Sequence, residues 1–420
     1  VQFSRWLSAF NSANRETLLS YHEQHFPYSA ASADVATIDR EHGLSLGTHG
    51  FTEREVEKSS PTSLSVLLEE RGRPQFARVS LEVDADPPHR VARFQIGPIP
   101  TPPQFLSKAE LDQRRLDGPR RQAVIDTLGR ELEAHYVSAE VAQKMAGHLR
   151  EKSKGGGYEA ITDAATLAAI LTEDLQQVSR DRHLSVRFGP IPPPPPEVLQ
   201  SEEPPPWMLE NNFGFGAIER LPGNVAHLTI NGFVPLLGDA VKAAIGARMS
   251  QIADADAAII DLRSNGGGAP PTVALVGSYF FGPKPLLWNS IVRRDTGETV
   301  EFWTEAKLEG ARFGADKPVY VLTSGRTFSG GEDLAYGLQA QHRAVVVGEV
   351  TGGGAHPTEP RAIAPDLYVM MPWGRSVNPI TGTNWEGVGV QPDVPVPADQ
   401  ALERALEAVR ARLAKHESVR

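Results

Sequence analysis

Residues 318–341 read PVYVLTSGRTFSGGEDLAYGLQAQ, and this stretch decides the fold. Pro318 to Leu322 is a short, uninterrupted apolar run, the pattern of a strand covered on both faces. Gly330 to Gln341 has the composition of a helix, so Ser329 stands at a strand-to-helix turn. A serine there is presented at the edge of a sheet, where the first backbone N–H groups of the helix can meet a developing oxyanion. Gly330 and Gly331 would let a substrate backbone come close. The same residues also satisfy a plainer reading, since Ser329-x-x-Glu332 is a capping box and needs no catalysis.

Working outward, Val225–Ile230, Ala257–Leu262 and Ala344–Val347 are further apolar strands, and Asp239–Ile252 is a helix. This alternation from Phe213 onward predicts an α/β core, closed by an amphipathic helix from Ala398 to Lys415. Upstream lies a helical block. Val124, Leu128, Leu132 and Tyr136 recur every four residues, as do Val141, Met145 and Leu149, and Leu167, Leu171 and Leu175. The block runs into a strand at Leu184–Phe188. Prolines at 190, 192–196 and 204–206 predict a stiff extended connector. The first hundred residues predict one amphipathic helix over Ser4–His25, then strands at Ser63–Glu70, Gln75–Val83 and Arg90–Ile96, ended by the prolines at 98–103. The expected organisation is a small α+β N-terminal domain (1–103), a helical subdomain ending in a strand (104–189), a proline-rich connector (190–206) and an α/β core (207–420). His22-Glu-Gln-His25 has its histidines three apart rather than four, which predicts a solvated helix face instead of a zinc site.

Composition excludes several functions. The net charge of -10, with no Lys/Arg stripe, argues against nucleic acid. The chain has no cysteine, which removes disulfides, thiolate metal sites and a cysteine nucleophile. No apolar run approaches the roughly 20 residues needed to span a bilayer. A start at Val-Gln-Phe-Ser without Met fits an exported protein whose leader has been removed, and equally a trimmed chain. No motif calls for a metal or a cofactor.

Three further segments carry chemistry. Asp261-Leu-Arg-Ser-Asn265-Gly-Gly-Gly268 puts three glycines after a buried strand, a loop able to turn N–H groups outward as anion nests do; it lacks the lysine of a phosphate loop. Asp181-Arg-His183 precedes alternating Leu184, Val186 and Phe188, which places His183 on the opposite face of that strand with Ser185 and Arg187. A histidine there is either a general base or a solvated strand residue. Asn384-Trp-Glu386-Gly-Val-Gly offers a glutamate able to orient a base or a water; alternatively it is a loop carboxylate.

Together these segments resemble the tail-specific (C-terminal processing) protease superfamily of serine peptidases, over roughly His183 to Arg420, with weaker likeness from Val124. The carriers are Phe328-Ser329-Gly-Gly-Glu332, Arg343-Ala-Val-Val-Val-Gly348-Glu349-Val-Thr351-Gly-Gly-Gly354-Ala355, Asp261-Leu-Arg-x-Asn265-x-Gly267-Gly268, Asp181-x-His183 and Glu386-Gly-Val-Gly-Val-x-Pro392-Asp393. One branch of that superfamily pairs its serine with a lysine, which would fall at Gly354. Between Ser329 and the C-terminal helix this chain has no lysine, the first being Lys415. The likeness is therefore to the tricorn-core and interphotoreceptor retinoid-binding protein branch, with His, Ser and Glu in that order.

The resemblance implies a crotonase-like ββα spiral and acyl transfer. Ser329 would be the nucleophile, His183 its base, Glu386 an orienting or substrate-binding group, and the N–H groups of Gly267 and Gly330 the oxyanion donors, each worth about 3 kcal/mol. His356 is the rival base; Ser324 and Thr327 are lesser candidates for the nucleophile. The expected substrates are peptides or unfolded protein segments. The PDZ domain of many processing proteases is missing, and the alternatives are a non-catalytic binder of retinoids or lipids, or a small-molecule esterase or amidase.

Overall fold

The computed structural model of the chain describes residues 1–26, 35–192 and 204–417, so most of the expected proline connector lies outside the described residues. Two compact units are present, Val1–Arg115 and Leu116–Arg420.

In the first unit the expected single helix is two, Gln2–Asn11 and Arg15–His25. The break falls at Ala13, whose φ of 51° cannot continue a helix, and Asn14 restarts it by accepting the Thr17 N–H at 2.9 Å. A third helix, Val35–Thr48, and a strand, Phe51–Ser59, were not foreseen. That strand is polar and exposed beyond Phe51, so it carries no alternating pattern. It forms the edge of a four-stranded antiparallel sheet with Ser63–Glu70, Phe76–Val83 and Val91–Ile99 in consecutive order. Trp6, Phe10 and Leu18 pack on its Val66, Leu68 and Val79. His22 corrects the expectation of a solvated face. It is buried, with its Nε2 3.2 Å from Glu41 Oε2, because the third helix covers the side of Arg15–His25 that the pattern left open.

The second unit begins with three helices, Gly118–His135, Ala139–Lys154 and Ala164–Ser179. Each starts on an Asp or Ser side chain that accepts an N–H of the first turn. Their apolar faces close on one another through Leu128, Leu132, Met145, Leu149 and Leu171. The strand that follows, Ser185–Phe188, leaves the helices and pairs antiparallel with Leu367–Pro372, Ser185 opposite Met370.

The core is a mixed α/β fold around a six-stranded sheet. In spatial order its strands are Val394–Pro395, Val345–Gly348, Val319–Thr323, Ala257–Asp261, Val225–Ile230 and Phe215–Leu221. The first five are parallel and the last is antiparallel to its neighbour. Successive side chains face opposite sides, and both sides are covered. Ile260, Val321 and Val346 meet the helix Gly330–Ala340, while Ile259, Leu322 and Val347 meet the C-terminal helix Ala401–Glu417. Burying each such side chain contributes about 1.5–3 kcal/mol, which is why these strands read as unbroken apolar runs. No described helix is long and apolar enough to cross a membrane.

Candidate active site

The strand ends at Asp261 and Thr323 lie side by side, and the loops that leave them build the site together. Asp261 and Arg263 form a buried ion pair, with the Arg263 guanidinium donating to both carboxylate oxygens at 3.0 and 2.7 Å. Burial opposes ionisation of Asp261, yet His227 and Arg263 hold its carboxyl far below the usual range. This pair anchors the strand end, and Asn265 then joins three segments. It donates from Nδ2 to Ile230 O, accepts the Gly267 N–H on Oδ1, and accepts the Phe328 N–H on its own carbonyl, all within 2.8–2.9 Å. Ser324 donates to Arg263 O and Thr327 to Leu262 O, so both hydroxyls are buried ties between the loops.

Ser329 sits at the N-cap of Gly330–Ala340 with φ 53° and ψ -120°, a backbone conformation rare for a residue with a side chain. The strain is held by Glu332, which is fully buried and acts as a hub. Its carboxylate accepts the N–H groups of Ser329, Gly353 and Gly354 at 2.7–2.8 Å and the Thr351 hydroxyl at 2.5 Å. Burial raises its pKa and these donors restrain the rise. Glu332→Ala would leave three backbone donors unpaired, each costing about 1–3 kcal/mol. The expected result is a loss of at least about 3 kcal/mol in urea unfolding; an unchanged midpoint and slope would show that the hub is dispensable.

Against Ser329 lies the glycine loop. Gly267 and Gly268 have φ of 108° and 138°, and a Cβ on Gly267 would stand 2.6 Å from Ser329 Cβ. No other residue fits there. The Gly267 N–H is taken by Asn265, whereas Gly268 N and Gly330 N have no protein acceptor and lie close to one another, a Cβ on Gly330 falling 3.0 Å from Gly268 N.

Ser329, Gly330, Gly268, His183, Gly354 and His356 line one cleft of about 280 Å³. His183 lies in the turn before its strand rather than on it, and its backbone N–H donates to Asp181 Oδ1. Its ring rests on Phe328, 4.5 Å between centroids, with Arg182 4.9 Å from the same phenyl ring. His183 Nδ1 is buried without a partner, and burial pulls the imidazole down to about 4 despite the pull of Asp181. No hydrogen bond joins Ser329 Oγ to the imidazole of His183 or of His356.

Glu386 is brought to His356 and not to His183. His356 Nδ1 is 2.8 Å from Asp181 Oδ2 and 3.5 Å from Glu386 Oε2. Asp181 also accepts from Tyr136 OH at 3.1 Å, and Glu386 accepts the Ala355 N–H at 2.6 Å. Burial works against protonation of His356, but Asp181 and Glu386 raise it above its ordinary value. Burial pushes Glu386 up to about 7. Asp181, His356 and Glu386 are the only such trio among the described residues whose ligand atoms could surround a metal. Their mutual hydrogen bond and charges already satisfy one another. Asp181 and Glu332 carry more of this architecture than sequence reasoning gave them: the first stood only as a neighbour of His183, the second only as a helix cap.

The family model described as Peptidase family S41 matches residues 224–396, and that of the N-terminal domain of Peptidase_S41 in eukaryotic IRBP matches residues 119–212. Among solved structures, a candidate peptidase from Parabacteroides merdae is 15% identical with a TM-score of 0.50, over 69% of this chain and 96% of that one. The photosystem II D1 C-terminal processing protease is 14% identical with a TM-score of 0.43, over 70% of this chain and 97% of that one. The tricorn protease is 13% identical with a TM-score of 0.48, over 86% of this chain and 46% of that one. At 15% identity the first likeness is one of fold.

Proposed function

Since this chain belongs to peptidase family S41, with its hydrolytic chemistry on peptide substrates, we propose that it is a serine peptidase acting through an acyl-enzyme on Ser329. The observation that carries this reading is the strained Ser329 at a helix N-terminus, facing the two unpaired N–H groups of Gly268 and Gly330 across a cleft that also holds an imidazole. The core is read as the crotonase-like ββα spiral that the sequence resemblance implies.

In the proposed reaction His183, neutral because it is buried, takes the Ser329 hydroxyl proton as Oγ attacks the scissile carbonyl. The carbonyl oxygen, now an oxyanion, accepts from Gly268 and Gly330. Gly267 supports this as the turn that lets the loop approach Ser329, its own N–H being held by Asn265. His183 then returns the proton to the leaving amine, and water repeats the cycle on the ester. Glu386 acts at one remove, through His356 and the Ala355 backbone that forms the cleft wall.

A fluorophosphonate should label the wild-type protein, and mapping of the digested adduct should place it on Ser329. An intact mass unchanged after long exposure would remove the serine-hydrolase reading and leave an apolar-ligand binder of the same fold as the better one.

A second assignment of the base rests on one distance: Asp181 orients His356 at 2.8 Å, as a carboxylate orients the base of a triad. The acid limb of kcat/KM separates the two. The base must be deprotonated, so activity falls as pH drops through its pKa. With His183 the limb lies near 4, and with His356, whose pKa is raised, it lies above 6.5.

A further inference from the structure

One carboxylate in the cleft has no role in the reaction above. Asp333 follows Ser329 by one helical turn, its N–H donating to Ser329 O at 2.9 Å. It is 5% exposed, yet it lines the cleft. Only its Oδ1 is bonded within the protein, by two neutral donors at long range, Trp288 Nε1 at 3.2 Å and Asn289 Nδ2 at 3.3 Å. Oδ2 has no hydrogen-bond partner within the protein, and Asp333 is one of the residues that line the cleft.

The contrast with the other buried aspartates is informative. Asp261 faces Arg263, Asp174 faces Lys152, and Asp181 faces His356. No cationic side chain contributes at Asp333. Burial pushes its carboxyl up to about 7, opposed only by the two neutral donors. A buried carboxylate without a counter-ion is costly, and a folded protein normally pairs it or leaves it protonated. The helix N-terminus offers partial compensation for a negative charge here, but an N-terminus does not supply a donor to Oδ2.

We propose that Asp333 is the base of a side-chain subsite that selects a positively charged substrate residue, arginine or lysine, next to the scissile bond. This rests on the assignment of Ser329 as nucleophile. The separation suits it, since one turn of helix is roughly 5–6 Å, a span that a lysine or arginine stem covers. The flanking surfaces suit it too. Pro270 and Ile291 line the same cleft and can cover a methylene stem, while Oδ2 receives the charged head.

The test uses the full chain and fluorogenic peptides that differ only in the residue before the cleaved bond. The wild type should cleave after Arg or Lys with kcat/KM at least about 30-fold above Leu or Phe, since an unmatched charge at a buried site costs several kcal/mol. Asp333→Asn keeps the bonds from Trp288 and Asn289 on its remaining oxygen and should erase that preference. It should leave fluorophosphonate labelling of Ser329 intact. Labelling without a preference for basic residues overturns the subsite and spares the nucleophile. If the peptides are not cleaved, benzamidine binding by calorimetry decides instead: the proposal needs measurable affinity in the wild type and at least about a tenfold loss in Asp333→Asn. Absent or unchanged benzamidine binding overturns it.

Discussion

Ser329→Ala is expected to lower kcat/KM on a cleaved peptide by about 10⁴-fold or more and to abolish fluorophosphonate labelling, with little change in thermal midpoint. The substitution removes one oxygen and keeps the Cβ that packs at Gly267, so the fold has little to lose. Alanine takes the same strained φ of 53° that serine does. The more discriminating result is the double variant with His183→Ala. If the two groups act as a unit, either single change removes nearly all of the acceleration and the second adds little. Losses that multiply would separate His183 from the nucleophile. Because Gly268 and Gly330 remain in place, residual activity above the uncatalysed rate is expected in every variant.

Gly354→Ala should be the next most damaging change, although it adds a single methyl group. A Cβ there would fall 2.3 Å from Phe328 Cζ and 2.6 Å from His183 Cε1. Such contacts force the rings apart, and overpacking of this kind costs about 1–3 kcal/mol. The larger effect is expected on activity, about 10²-fold or more, because His183 moves relative to Ser329. Circular dichroism melts and kcat/KM together check it. Full activity with a lowered melting temperature would mean that the ring position is structural and not catalytic. This crowding also gives Gly354 a physical meaning. The space beside its Cα is filled by Phe328 and His183, so this position takes no side chain without displacing them.

The core was legible because its signals are local. Runs such as Ala257–Ile260 and Val319–Leu322 are apolar at every position, the pattern expected of short strands covered on both faces. The matching strand and helix bounds around Ser329 followed from the same signal. The N-terminal unit was harder. Phe51–Ser59 is an exposed edge with no alternation, and the helix break at Ala13 depends on one backbone angle. His22 read as solvated because the helix that buries it lies elsewhere in the chain.

The sequence by itself determined that a serine stands between a buried strand and a helix, and that a glycine loop follows another buried strand; that the two strands are neighbours was decided by the fold. The sequence also determined that no lysine follows Ser329 before the C-terminal helix. Which donors are free was decided only in three dimensions, since Gly267 spends its N–H on Asn265 and leaves Gly268 unpaired. Tertiary structure likewise joined Glu386 to His356 and Asp181, and brought His183 to the cleft through the pairing of Ser185–Phe188 with Leu367–Pro372. Asp333, one letter after a capping glutamate, gave no signal at all. The physical reason is common to these cases: spacing along a chain fixes periodicity and turn chemistry, while the partner of a buried polar group is chosen by contacts between residues far apart in sequence.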